Sequence, residues 1–262
     1  MRKLEGRTAV VVHVGSPLGK ACASRLSEDG AEVVVVDPIE QSAEEAVREI
    51  VEAGGRAGSV VAGFGDESAI ARVAEEVAER FSRIDVLVVA AGALDWWPAD
   101  QDSMANWEAS LRINLLTPVF YVRAFRELLS RSGDASVVIY GSIDGVRGNP
   151  RVPAYSAARG ALIPFVHTEA HELASLGIRV NLVAGAAILP HGPEAPLDRG
   201  AFVDSAVAMR DTPLARLARP ADVAGVVSFL AGPDSAYVTG TVVTLDGGRT
   251  AITPGTGLNL AE

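Results

Sequence analysis

The chain has 262 residues and a formal net charge of −10, with 48% hydrophobic and 21% charged residues. This composition is ordinary for a globular protein, and the acidic balance argues against nucleic acids or an anionic membrane surface as partners. A single cysteine, Cys22, excludes an intramolecular disulfide, and no apolar run approaches the ~18 residues of a membrane span. Because the first residues lead directly into a strand pattern without a signal-peptide outline, the sequence predicts a cytoplasmic protein.

Short β-branched apolar runs alternate with helical patterns along most of the chain. Seven strands are predicted, at Thr8–Val14, Glu32–Asp37, Arg56–Ala62, Ile84–Ala91, Ser136–Gly141, Arg179–Ala184 and Thr241–Asp246. Runs that are apolar throughout are typical of parallel strands covered on both faces. The alternation, with no linker or internal repeat, predicts one α/β domain over 1–262, built as a doubly wound parallel sheet with helices on both faces.

Two helix starts carry local signals. After the first strand, Ser16 followed by Pro17 predicts an N-cap with proline at the first helical position. After the second strand, Ser42-x-x-Glu45 predicts a capping box that opens a helix, which Gly54-Gly55 ends.

Two loops follow predicted strands, where ligands of open α/β sheets bind. The region 185–211 begins with a segment rich in Pro and Gly and is a candidate substrate loop, although a plain surface excursion is an equal alternative. Trp96 and Trp97 follow the fourth strand; they could form the wall of an apolar or aromatic substrate site, or pack at a subunit interface. Residues 250–262 are expected to form a C-terminal tail.

Three separated patterns carry a family resemblance. Tyr155-Ser156-Ala157-Ala158-Arg159 lies 13 residues after Ser142, and Asn114 lies upstream in RINLL. Asp246-Gly247-Gly248 closes the final segment. Together these patterns resemble the short-chain dehydrogenase/reductase family over roughly Leu4 to Gly248. The resemblance implies a Rossmann-like fold, an oxidoreductase acting on a small-molecule carbonyl or secondary alcohol, and a homo-oligomer, either a dimer or a tetramer.

The resemblance also implies a catalytic set. Tyr155 would be the acid/base, and since free tyrosine has a pKa of ~10 it needs a nearby cation. Ser142 would hydrogen-bond the substrate oxygen, and Asn114 would hold a water that links the site to solvent. Arg159 stands where the family has lysine; it keeps the positive charge and could reach ribose hydroxyls, but it cannot lose its proton near neutral pH.

The cofactor loop departs from the family pattern. Aligned without gaps, the motif Thr-Gly-x-x-x-Gly-x-Gly falls on Val12 to Gly19, where only the last glycine remains, and His13 puts a side chain into the turn. Gly15 could shift the turn by two residues. Asp37, which lies 18 residues after Gly19, would accept hydrogen bonds from the adenosine ribose and repel a 2′-phosphate, or simply form an Asp-Pro turn.

The resemblance thus implies NAD(H), weakly or atypically bound, and no metal. The cofactor-binding residues that it implies are Gly15, Ser16, Leu18, Gly19, Asp37, Ala91, Gly92 and Ile188. Three interpretations remain open at the level of sequence: an NAD(H)-linked oxidoreductase, an enzyme of the same fold performing non-redox acid/base chemistry, and a non-catalytic partner subunit.

Overall fold

The computed structural model describes residues 2–93, 103–150, 152–188 and 209–251. Within these ranges, seven strands form one parallel sheet in the order β3-β2-β1-β4-β5-β6-β7. The strands are β1 Thr8–Val12, β2 Glu32–Asp37, β3 Arg56–Val61, β4 Val86–Val89, β5 Ala135–Ser142, β6 Ile178–Gly185 and β7 Val242–Leu245. Every strand that the sequence predicts is confirmed, and the ends differ by one or two residues at most.

Helices cover both faces of the sheet. They are α1 Pro17–Glu28, α2 Glu40–Glu52, α3 Glu67–Arg80, α4 Met104–Leu111, α5 Thr117–Ser130, α6 Asp144–Arg147, α7 Pro153–Leu173 and α8 Pro220–Ala231. Alternate residues of β1 bury on opposite faces: Val10 packs in the core with α3, α5 and α7, and Val11 packs in the core with α1, α2 and α8. The predicted doubly wound sheet is therefore confirmed, and the apolar strands follow from burial on both sides.

The two predicted helix starts have different outcomes. Ser16 caps α1 as predicted, since its Oγ accepts the Gly19 N–H at 3.1 Å and Pro17 is the first helical residue. The capping box at Ser42 is wrong, because α2 already begins at Glu40. The Asp37 carboxylate accepts the Ile39 N–H at 3.1 Å, which turns the chain into the helix directly after β2.

The strand order reverses between β1 and β4, so the carboxyl ends of these two strands border the crevice where such sheets bind ligands. Cys22 is buried in α1, and burial raises the pKa of its thiol to about 12. Trp96 and Trp97, residues 189–208 of the candidate substrate loop and residues 252–262 of the tail lie outside the described residues. In the described part of the chain, no helix is both long and apolar enough to cross a bilayer.

Candidate active site

A buried guanidinium connects three elements at the carboxyl edge of the sheet. Arg159, in α7, is 2% exposed and donates hydrogen bonds to the Tyr140 carbonyl of β5 at 3.1 Å and to the Ala91 carbonyl after β4 at 3.2 Å. Its Cζ lies 5.3 Å from the centroid of the Tyr155 ring. Gly92 leaves room for this group, because a Cβ at that position would collide with the guanidinium. Arg159 therefore holds a fixed positive charge against Tyr155.

Ser142 is the last residue of β5 and is 8% exposed. Its Oγ accepts the Asp144 N–H at 3.1 Å, and its own hydroxyl proton has no acceptor among the residues that the structure describes. The glycine of α6, Gly145, packs against the backbone of Arg159 in α7, which brings the chain after β5 to the helix that carries Tyr155. Ser142 thus keeps a donor for a ligand oxygen at the carboxyl end of β5, next to the helix that carries Tyr155.

Asn114 lies in a π-helical turn, Arg112–Leu116, between α4 and α5, and is fully buried. Its amide accepts the Ala93 N–H at 3.1 Å and donates to the Ala93 carbonyl at 2.9 Å and to Ser110 Oγ at 3.2 Å. The π turn was not predicted from the sequence, although Pro118 was a signal: it lacks the N–H that would bond the Asn114 carbonyl in a regular α-helix. The side chain of Asn114 therefore anchors the chain after β4, and its predicted water contact stays a prediction.

We expect Asn114→Ala to lower the free energy of unfolding by about 2–3 kcal/mol, because the Ala93 N–H and carbonyl would lose their partners in a partly buried position. Urea denaturation measures this loss. Ser110→Ala is the matched control, since it removes only one of the three bonds to the amide, and its effect should be about 1 kcal/mol. Equal, small losses in both variants would contradict the anchoring role of Asn114.

Within the described part of the chain, the N-terminus of α1 has one backbone N–H that is free to bind a ligand. The Leu18 N–H has no acceptor among the described residues, whereas the Gly19 and Lys20 N–H groups are taken by Ser16. Gly19 packs against the carbonyl of His13, where a Cβ could not fit, so this glycine permits the close contact between helix and strand. A free N–H at a helix N-terminus fits an anionic phosphate group.

Asp37 ends β2 and is 1% exposed. One carboxylate oxygen accepts the Gly15 N–H at 2.7 Å and the other accepts the Ile39 N–H at 3.1 Å. Each carboxylate oxygen has a second lone pair, so both can still accept a ribose hydroxyl. Gly15 and Asp37 are thereby brought together, which the sequence did not predict.

His13 has a left-handed backbone, with φ +74°, and its ring meets the Phe64 ring edge-on at a centroid distance of 4.9 Å. Burial lowers the pKa of this imidazole, opposed by the Asp37 charge and a hydrogen bond to the Ala90 carbonyl. The Nδ1 atom is buried and has no hydrogen-bond partner among the described residues. The Leu18 N–H and the Asp37 carboxylate fit a dinucleotide, whereas the side chain of His13 is a feature that opposes one.

Beyond β6, Ile188 pairs with Ala218 in an isolated bridge. A cavity of about 530 Å³ lies between this segment and the turn after β7; its lining includes Ala187, Leu214 and Arg249. Asp144, two residues after Ser142, is a polar group that the sequence left without a role, and burial raises the pKa of its carboxyl, against the opposing effects of Asn149 and Arg249. Among the described residues, no group of three or more His, Cys, Asp or Glu side chains is placed to hold a metal ion.

Comparisons with known proteins agree with this geometry. A family model described as enoyl-(acyl carrier protein) reductase matches residues 14–250. The chain is 33% identical to a 3-oxoacyl-[acyl-carrier-protein] reductase of Synechocystis, over 95% of this chain and 98% of the relative. It is 34% identical to a cis-4-hydroxycyclohexanecarboxylate dehydrogenase of Sinomonas cyclohexanicum, over 94% of this chain and 97% of the relative.

Solved structures give the same result. A Beutenbergia cavernae protein, described as an NAD(P)-dependent gluconate 5-dehydrogenase and containing NADP at low occupancy, superposes with a TM-score of 0.88. The two chains are 33% identical, over 95% of this chain and 99% of the other. The chain therefore belongs to the short-chain dehydrogenase/reductase family and is one of its oxidoreductases.

Proposed function

We propose that the protein reduces a carbonyl group, or oxidises the corresponding secondary alcohol, with NAD(H) as the preferred cofactor. The observation that carries the proposal is the buried guanidinium of Arg159 against the Tyr155 ring, beside the carboxyl ends of β4 and β5. The names of the relatives, which are reductases and dehydrogenases, favour this reading over non-redox chemistry and over a non-catalytic subunit.

Tyr155, Ser142 and Arg159 have different roles at the substrate oxygen. A bound nicotinamide supplies or accepts the hydride. In the reductive direction the Tyr155 hydroxyl donates its proton to the substrate oxygen, and the Ser142 hydroxyl donates a hydrogen bond to the same oxygen. The guanidinium of Arg159 lies over the Tyr155 ring, where its positive charge would offset the negative charge left on the phenol. Because a guanidinium does not deprotonate near neutral pH, the proton that restores Tyr155 must come from another donor or from water.

The cofactor preference follows from Asp37. Its carboxylate ends β2, where the adenosine ribose of a dinucleotide is bound, and a 2′-phosphate there would meet a buried negative charge. Leu18, Gly19, Ala91, Gly92 and Ile188 line the strand ends and helix N-terminus that would hold the rest of the cofactor. The relative from Beutenbergia contains NADP, so the preference for NAD(H) is a proposal about this chain alone.

Calorimetric titration with NAD⁺, NADH and NADPH tests the proposal. We expect millimolar or tighter binding of NAD(H), weaker binding of NADPH, and a loss of at least about tenfold in NAD(H) affinity in Asp37→Ala, since about 1.4 kcal/mol of hydrogen bonding to the ribose disappears. Asp37→Asn is the matched variant: it keeps the shape of the side chain and removes its charge, so NADPH should bind more tightly to it than to the wild type.

Asp37 also accepts two backbone N–H groups, so both variants need a thermal unfolding curve beside the titration. If folded wild-type protein gives no heat with either nicotinamide, the proposed function is wrong. If it binds, a screen of ketones and secondary alcohols follows, with compounds that carry apolar or aromatic groups among them.

We also propose a homo-oligomer, a dimer or a tetramer, in the cytoplasm. β7 is the last strand of the sheet that the described residues form and is only half-buried, and the apolar side chains of Phe229 and Tyr237 are exposed. An edge strand and exposed apolar side chains favour association with a second copy. The region 185–211 is proposed as the substrate loop, since its two ends border the cavity.

A further inference from the structure

The side chain of His13 lies in the half of the crevice that belongs to β1, β2 and β3. The His13 N–H continues the pairing of β1 with β2 by donating to the Val36 carbonyl at 2.7 Å. The ring contacts Phe64, which follows β3, and is close to the Ala90 carbonyl, which follows β4. The imidazole therefore lies between the segments that follow two strands, while its backbone pairs with a third. This is the half in which the acid at the end of β2 places the adenosine of a dinucleotide.

The backbone of His13 is unfavourable for its residue type. A residue with a Cβ in the left-handed region costs roughly 1–2 kcal/mol relative to glycine. Its pKa is lowered by burial, so the imidazole is neutral near pH 7 and gives no attraction to a diphosphate. The Nδ1 atom of His13 is buried without a hydrogen-bond partner among the described residues. The imidazole is therefore neutral and its backbone is strained. It occupies space in the crevice, and it offers no charge that would attract an anion.

We propose that the imidazole of His13 occupies part of the adenosine half of the cofactor crevice and limits the affinity of this chain for NAD(H). The Phe64 ring, which His13 covers edge-on, is then the apolar surface against which an adenine would pack if the imidazole were removed. The proposal rests on the proposed function, because it requires that NAD(H) binds in this crevice.

The test is a titration of wild type, His13→Gly and His13→Ala with NADH, AMP and nicotinamide mononucleotide. The glycine variant removes both the ring and the backbone strain, whereas the alanine variant removes the ring alone. We expect NADH and AMP to bind at least about tenfold more tightly to both variants, a gain of about 1.4 kcal/mol. Binding of nicotinamide mononucleotide, which lacks the adenosine, should not change.

Ala215→Gly is the matched control. Ala215 is the other non-glycine residue with a positive φ in the described part of the chain, at +51°, so this variant relieves backbone strain away from the adenosine half. Its affinity for NADH and AMP should equal that of the wild type. Thermal unfolding curves of all variants establish that each is folded.

The outcomes separate the two proposals. If wild type binds NADH and the binding depends on Asp37, but neither His13 variant binds NADH or AMP more tightly, this inference is wrong and the proposed function stands. If no folded variant binds NADH at all, both are wrong. A gain in affinity for nicotinamide mononucleotide equal to that for AMP would also overturn the inference, because the ring would then not act on the adenosine half.

Discussion

Replacing Tyr155 by phenylalanine is expected to lower kcat by about 10²–10⁴-fold on the substrate found in the screen, the usual contribution of a positioned acid/base. Phenylalanine keeps the ring under the Arg159 guanidinium but has no proton to give. NADH affinity, measured by titration, should not change, because the hydroxyl acts on the substrate oxygen. The comparison of kcat with NADH affinity therefore separates a catalytic role from damage to the cofactor site.

Tyr121→Phe is the control for this variant. The Tyr121 hydroxyl is buried in α5 and has no hydrogen-bond partner among the described residues, so its removal takes away no hydrogen bond there. We expect the kcat of this variant to match that of the wild type and its melting temperature to be equal or higher, since a buried hydroxyl without a partner is removed. If Tyr155→Phe retained more than about a tenth of the wild-type kcat, Tyr155 would not be the principal acid/base.

Arg159→Met has the second-largest expected effect, and it falls on activity rather than on stability. Among the described residues, Arg159 has no carboxylate partner: its two terminal nitrogens donate to two carbonyls, its Nε has no hydrogen-bond partner, and its Cζ lies over the Tyr155 ring. Replacing a buried charge by an apolar side chain of similar size is often neutral or stabilising. We therefore expect the free energy of unfolding to change by less than about 2 kcal/mol, while kcat falls by about 10²-fold or more because the phenolate loses its cation.

Arg159→Lys is the matched variant because it retains the positive charge. A lysine cannot donate to both carbonyls with the planar geometry of a guanidinium, so the position of its charge is less fixed. Its kcat should lie between those of the wild type and of Arg159→Met. Steady-state kinetics and urea denaturation on the three proteins measure both effects. Equal activity in the lysine and methionine variants would show that the charge at this position does not contribute.

The fold could be predicted from the sequence because its signals are local. An apolar β-branched run between helical patterns indicates a buried parallel strand wherever it occurs, and this rule located all seven strands. The N-cap at Ser16 was equally local and is confirmed. The prediction at Ser42 is wrong because it, too, used only a local pattern. The start of α2 is set by the Asp37 carboxylate, three residues before the helix, and the capping pattern does not include that contact.

The candidate site was predicted as a set of residue types, and the structure adds how they are held. The predicted water contact of Asn114 stays a prediction, and the structure adds that its side chain is bonded to the backbone of Ala93, 21 residues earlier. The predicted reach of Arg159 to ribose hydroxyls also stays a prediction, and the structure adds that its guanidinium is bonded to carbonyls 19 and 68 residues away in sequence. No local pattern encodes contacts at such separations, because they depend on which strand ends become neighbours in the sheet.

The sequence by itself determined the alternation of strands and helices and the identity of the chemically active side chains, because periodic burial and residue type are properties of short segments. Only the tertiary structure decided that Arg159 is buried against Tyr155 and that the ring of His13 meets Phe64 in the adenosine half of the crevice. Long side chains have many rotamers, and the one they adopt is selected by packing against residues far away in the chain.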